Sequence, residues 1–163
     1  MTVKHMRIDD RLIHGQIVTA WIRDSKAKMI IVADDQASKD PTQKMLLKLV
    51  TPKDIELRVD TVENIASTIL EVNENVDILL IVRSPKSAYE LLSKVVLVDS
   101  INVGNISNSK SETGRKTLLP YIHVEKQDME YLEMIHKLNI HLDVRAVPTD
   151  KSIDGFELIK KHM

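Results

Sequence analysis

The densest group of chemically capable side chains in this sequence lies near its start. Between the first β-branched run and the first amphipathic stretch, Arg7-Ile-Asp-Asp-Arg-Leu-Ile-His-Gly-Gln gathers Asp9, Asp10, Arg11 and His14 in an otherwise apolar neighbourhood. If a helix begins at Gly15, His14 stands at its positive end. Backbone N–H groups there lack intrahelical partners and favour an anion such as a phosphoryl group. A neutral imidazole is a competent nucleophile toward phosphorus. Arg11, three residues earlier, can clamp phosphoryl oxygens, the electrostatic task that dominates phosphoryl transfer. In this reading Gly15 and Gln16 contribute N–H groups at the helix start, and Asp10 positions Arg11 or the imidazole. The plainer alternative is a histidine that only caps or packs at a helix start.

Other candidates are weaker. Asp34-Asp35 follows the second strand and admits a phosphoaspartate or a magnesium site, because paired carboxylates bind hard cations. A structural role is preferred: carboxylates after a strand commonly cap the next helix or pair with an arginine, and no lysine partner can be assigned from spacing. Arg83-Ser84 and Asn102-Val103-Gly104 end other strands and can face the same crevice, although capping and tight turning explain them equally well. His5, His123, His136, His141 and His162 are scattered without the HExxH spacing of a metal site, and most are read as surface residues. The four glycines, Gly15, Gly104, Gly114 and Gly155, form neither GxGxxG nor a P-loop, which argues against a nucleotide site. With no cysteine, thiolate catalysis and cysteine-ligated metals are excluded. No metal and no cofactor is expected.

The elements that must hold these residues follow from periodicity. Short β-branched runs at Val3–Ile8, Met29–Ala33, Ile55–Val59 and Ile78–Val82 alternate with helical spacing, the pattern of βαβ units. Ile17, Val18, Trp21 and Ile22 share one helical face; Val62, Ile65, Ala66, Ile69 and Leu70 share another. Asp40-Pro41 and Ser84-Pro85 each place a capping side chain before a proline suited to the first helical position, and Asp60-Thr-Val-Glu63 reads as a capping box. Helices are therefore expected at 41–50, 61–72 and 85–94. A strand ends at Asn102-Val103-Gly104; further strands fall near 121–124 and 141–146, with helices near 127–138 and from Asp154. The polar stretch Asn105–Lys116 reads as an exposed loop. The fold class expected is α/β: a single doubly wound, mostly parallel sheet with helices on both faces, and one domain spanning 1–163. In such a sheet the working edge lies where strands end and helices begin.

At 163 residues, with 43% hydrophobic and 29% charged residues, the chain has the composition of a folded water-soluble domain. The start Met1-Thr-Val-Lys-His-Met lacks the pattern of a secretory leader, and no apolar run reaches the ~20 residues of a spanning helix. A formal net charge of −1, with both signs interspersed, gives no reason to expect nucleic acid or a membrane surface held by bulk electrostatics.

The run RIDDRLIHGQIVTAW, followed by IIVADD at 30–35 and INVG at 101–104, closely resembles the mannose/fructose/sorbose family of enzyme IIB subunits of the bacterial phosphotransferase system. The likeness spans essentially the whole chain, and its first motif is long and specific. It implies that His14 is the phosphorylated histidine, that its δ-nitrogen is the atom modified, and that Arg11 binds phosphate. It further implies a relay. An enzyme IIA phosphohistidine would donate to His14, and phospho-His14 would donate to a sugar moving through membrane IIC and IID subunits. The subunit would be cytoplasmic and peripherally associated with that permease. The identity of the sugar is left open, and apolar surface exposed on one helix could support a homodimer. INVGN departs from the expected pattern at Asn105, where a second glycine is anticipated; asparagine tolerates left-handed backbone angles, so a turn there can survive. Two other readings compete: a regulatory module that reports its phosphorylation state, and a magnesium enzyme built on Asp34 and Asp35.

Overall fold

Strand residues 29–33 show how the sequence partitions itself. Met29, Ile31 and Ala33 join one buried cluster and Ile30 and Val32 another, so a central strand of this sheet is apolar on both faces. The computed structural model describes residues 1–71, 74–95, 98–107 and 115–162. In chain order its elements are β1 (Thr2–Asp9), α1 (Gly15–Ser25), β2 (Met29–Ala33), α2 (Asp35–Ser38), α3 (Pro41–Val50), β3 (Glu56–Asp60), α4 (Val62–Glu71), β4 (Asp77–Val82), α5 (Pro85–Lys94), β5 (Ser100–Asn105), β6 (Lys116–Leu119), β7 (Ile122–Val124), α6 (Lys126–Lys137), β8 (His141–Val144), β9 (Ile153–Asp154) and α7 (Gly155–Lys160). Among the described residues, seven strands form one sheet in the order β3-β2-β4-β1-β5-β8-β9. Every pairing in it is parallel except β8 with β9.

Helices cover both faces, as expected of a doubly wound α/β domain. α1, α2 and α3 pack through Trp21, Ala37 and Leu47 on Ile30, Val32, Leu79 and Ile81. α4, α5, α6 and α7 pack through Ile65, Leu91, Ile135 and Ile159 on Met6, Ile8, Ile31 and Leu80. β1 lies between β4 and β5, and the chain leaves it toward β2 on one side and later returns to β5 on the other. That reversal of direction opens a crevice at the carboxyl end of β1.

Local signals acted where they were read, with two shifts. Asp40 accepts from the N–H groups of Thr42 and Gln43, and Ser84 from that of Ser87, so both residue–proline starts cap helices. At α4 the cap falls one residue later than the capping-box reading: Thr61 Oγ1 accepts from Asn64 N, while Asp60 accepts from Thr61 N. The strand near 121–124 exists as β7, but it pairs antiparallel with β6 in a separate two-stranded sheet. Of the expected loop Asn105–Lys116, Asn105 closes β5 and Lys116 opens β6; residues 108–114, Gly114 among them, lie outside the described residues.

Candidate functional site

β1 alternates sides: Met6 and Ile8 enter the core under α4–α7, so Arg7 and Asp9 point to the opposite face. Both are buried, Asp9 completely. Charges in the centre of a sheet must be paired and hydrogen-bonded to be tolerated, and these are. Arg7 Nε and Nη2 donate to Asp9 Oδ2 at 3.3 and 3.1 Å, and Arg7 Nη1 donates to Asn102 Oδ1 at 2.6 Å. Asn102 in turn donates to the carbonyls of Asp143 and Arg145 at 3.1 and 3.0 Å. The guanidinium lies over Gly104, where a Cβ would stand 2.0 Å from Arg7 Cζ. Gly104 therefore serves to admit Arg7, not to make a turn.

After β1 the chain turns sharply. Leu12 N donates to Asp9 O at 2.9 Å, and Leu12 adopts φ of 59°, a left-handed angle that costs a leucine roughly 1–2 kcal/mol. Burial of the Leu12 and Ile13 side chains in the α1-side core offsets this and anchors the turn from beneath. His14 is then the N-cap residue of α1, with extended φ and ψ of −136° and 119°. Its side chain makes no capping bond, which removes the plain capping reading of this histidine. The ring is 23% exposed and is held from two sides. Nε2 lies 2.7 Å from Asp9 Oδ2, and Nδ1 lies 3.0 Å from Arg11 Nη2. A carboxylate can only accept, so the ring proton belongs on Nε2 and the lone pair on Nδ1; Arg11 Nη2 lies beside the ring, also 3.5 Å from Nε2. Burial alone would raise Asp9's pKa, but the His14 hydrogen bond and the Arg7 charge outweigh it and hold the carboxyl below the usual range.

Each expected site residue can now be placed. Arg11 is exposed and reaches the ring; its own N–H donates to Asp9 Oδ1 at 3.0 Å. Gly15 and Gln16 open α1, where first-turn N–H groups have no carbonyl four residues back. Asp10 departs from expectation. The ring is oriented by Asp9, whereas Asp10 accepts from Asn105 Nδ2 at 2.7 Å and from Ser107 N, tying the His14 loop to the end of β5. Asn105 itself is strand with no left-handed angle, so its role is this side-chain bond and not the turn anticipated for it.

Asp34 takes Arg83 Nε and Nη2 at 3.0 and 2.8 Å and the N–H of Ala37 at 2.9 Å, and Asp35 takes the N–H of Val62 at 2.9 Å. Both carboxylates are thus engaged in capping and ion pairing, as the structural reading held. Arg83 Nη1 also donates to Asp10 O at 3.4 Å, bracing the His14 loop from β4's end. His5 is half-buried: it stacks on Trp21 with ring centroids 4.1 Å apart. Trp21, fully buried in α1, also lies 5.6 Å from Arg7 Cζ and donates to Ala146 O at 3.0 Å.

Asn102 and Gly104, expected either to face this crevice or to cap and turn, are at the crevice and build it with Arg7, to which the sequence reading gives no role; Asp9 is there one member of a cluster. The available signal was period two: Arg7 and Asp9, like Asn102 and Gly104, sit at i and i+2 on one face of a strand flanked on both sides.

This doubly wound α/β domain presents a partly exposed imidazole at its carboxyl edge, beside an arginine and a helix N-terminus, an arrangement that could hold an anion next to the ring. Residues 3–163 match the family described as the sorbose subfamily IIB component of the PTS system, and the chain belongs to that family. It is 29% identical over 153 residues to the N-acetylgalactosamine-specific phosphotransferase enzyme IIB component 2 of Escherichia coli strain K12, covering 94% of this chain and 96% of that one. It is 30% identical over 166 residues to the mannose-specific EIIAB component of the same strain, covering 99% of this chain and 49% of that larger protein. The IIBSor domain of the sorbose permease of Klebsiella pneumoniae superposes with a TM-score of 0.92 at 25% identity, covering 100% of this chain and 99% of that one. The protein is therefore a IIB component of a sorbose/mannose-type phosphotransferase system, with the phosphotransferase role of such components. Among the described residues, no helix is long and apolar enough to cross a membrane.

Proposed function

We propose that residues 1–163 act as one phosphocarrier unit that accepts a phosphoryl group on Nδ1 of His14 and passes it to a sugar. The observation that carries this reading is the Asp9 carboxylate on Nε2, which leaves Nδ1 as the free nucleophilic nitrogen, with the Arg11 guanidinium beside the ring and nearer Nδ1 (3.0 Å) than Nε2 (3.5 Å). In the first step the Nδ1 lone pair forms a bond to phosphorus as the N–P bond of a IIA phosphohistidine breaks, and the donor ring keeps the electron pair. With Nδ1 phosphorylated and Nε2 still protonated, the His14 ring is cationic, and the Asp9 carboxylate stabilises that charge. Arg11 moves from Nδ1 to the phosphoryl oxygens, joined by the N–H groups of Gly15 and Gln16. In the second step a sugar hydroxyl forms the new O–P bond, its proton is lost to solvent, and the ring leaves neutral with Nε2–H retained. No metal or cofactor enters either step. Asp10, through Asn105 and Ser107, positions the loop and not the ring.

The mannose-specific relative carries IIA and IIB in one chain by its name, which supports a IIA donor for this chain. Membrane IIC and IID subunits are the proposed route of the sugar, with the subunit cytoplasmic and docked on them. The test is intact-mass analysis after incubation with enzyme I, HPr, a cognate IIA and phosphoenolpyruvate, quenched at alkaline pH. Wild type should gain one acid-labile phosphoryl group and His14→Ala none, with both melting alike. A phosphoryl adduct on the folded mutant would move the site away from His14.

A further inference from the structure

α3 is exposed in an unusual way. Of its ten residues Leu47 is the one that is buried, while Met45, Leu46, Leu49 and Val50 are 57, 54, 73 and 41% exposed. At 100° per residue these four span an arc of roughly 140°. Lys44 and Lys48 flank that arc on one side, and Lys53 follows the helix; all three are exposed. The helix holds no acidic residue, and among the described residues none of these lysines is in an ion pair. A groove of about 610 Å³ runs between α3 and β3, lined by Leu49, Ile55 and Leu57 together with Lys48, Lys53 and one carboxylate, Glu56, which pairs with Arg58 Nε at 3.6 Å.

An apolar ridge edged by lysines, with no carboxylate on the helix itself and Glu56 paired to Arg58, suits a surface that is apolar below and anionic above. Leucine and methionine side chains enter the acyl boundary, and lysine stems lie along it with their ammonium groups at the phosphates. We propose that α3 is a docking face for an anionic phospholipid surface. A second copy of the chain fits the same face less well, because an isologous contact sets the patch against itself and brings the lysines of both copies together with no carboxylate of α3 between them. The net charge of −1 supplies no long-range attraction, so the contact is local and salt-sensitive. α3 packs against the sheet face through Leu47 while His14 stands at the strand ends. Docking would therefore leave the His14 edge at the flank of the contact and open to partners. This inference is independent of the phosphocarrier reading.

The experiment is flotation of the full chain with vesicles of equimolar phosphatidylglycerol and phosphatidylcholine, against vesicles of phosphatidylcholine alone. Three variants are compared: Leu46→Ser/Leu49→Ser, Lys44→Gln/Lys48→Gln/Lys53→Gln, and His14→Ala. Wild type and His14→Ala should float equally with the anionic vesicles and not with the neutral ones. Each α3 variant should bind at least roughly tenfold more weakly while melting like wild type. The proposal is overturned if wild type ignores anionic vesicles, if it binds only once membrane subunits are included, if the α3 variants bind as wild type does, or if sedimentation equilibrium shows those substitutions dissolving a homodimer.

Discussion

Asp9, ending β1, and Asp34, just past β2, are made from the same parts at the same edge of the sheet. Each is buried, pairs with an arginine through Nε and Nη2, and accepts one backbone N–H from the turn that follows. Asp34 is thereby complete: Arg83 and Ala37 take up its two oxygens, and the result is a capped helix braced to β4. Asp9 has one further partner on Oδ2, the His14 ring at 2.7 Å. Identical motifs become structure in one place and site in the other, according to whether a titratable ring completes the set. The carboxylate–arginine pair alone marks neither.

The largest effect expected from breaking this contrast falls on Asp9. Asp9→Asn should slow phosphoryl uptake roughly 10²–10³-fold, because the amide cannot stabilise the cationic phosphorylated ring and can present a donor to Nε2. Quenched-flow labelling from phosphorylated IIA measures it, and a change of less than tenfold would deny Asp9 its role. Gly104→Ala comes next. Its methyl would displace the Arg7 guanidinium, costing about 2–3 kcal/mol in urea unfolding and loosening Asp9; an unchanged midpoint would show that Arg7 has another seat. Asp34→Asn should cost about 1–2 kcal/mol of stability yet leave phosphoryl uptake within about threefold of wild type. If it slowed uptake as much as Asp9→Asn, the two carboxylates would not differ as described.

The smallest effect concerns His5. Burial, followed by the nearby Arg7 charge, lowers its pKa from 6.5 to about 4. A histidine depressed in the folded state contributes stability that is complete above its unfolded pKa and is lost as pH falls toward the folded value. Between pH 7 and 5.5 the protein should lose about 1 kcal/mol on this account. Asp9, also held low, adds to the loss only at more acid pH, as the pH falls through its depressed pKa. His5→Phe, which keeps a ring against Trp21, should flatten the loss above pH 5.5 in thermal melts; an unaltered slope would assign it to other groups.

How much of this was legible in the sequence depended on the range of the interaction. β2 and the starts of α3 and α5 were readable because β-branched runs and Asp-Pro or Ser-Pro caps act within a few residues. So was the concentration of Asp9, Asp10, Arg11 and His14. The choice between Asp9 and Asp10 as the ring's partner was not, because it depends on the left-handed turn at Leu12 and on Asn105, 95 residues away, engaging Asp10. The Arg7–Asn102 bond and the space above Gly104 likewise arise only when β5 pairs with β1. β9 and β6, two and four residues long, are too short for periodicity to register, so β7 was expected without its antiparallel partner.

Asp9, by holding the ring proton on Nε2, is proposed to make Nδ1 the phosphorylated atom. Nitrogen-15 and phosphorus-31 NMR of the phosphorylated, histidine-labelled protein at alkaline pH tests it directly. Phosphorus should couple to Nδ1 of His14, and in the unphosphorylated protein Nε2 should carry the proton. Phosphorus on Nε2, or an unphosphorylated ring protonated at Nδ1 alone, would contradict it.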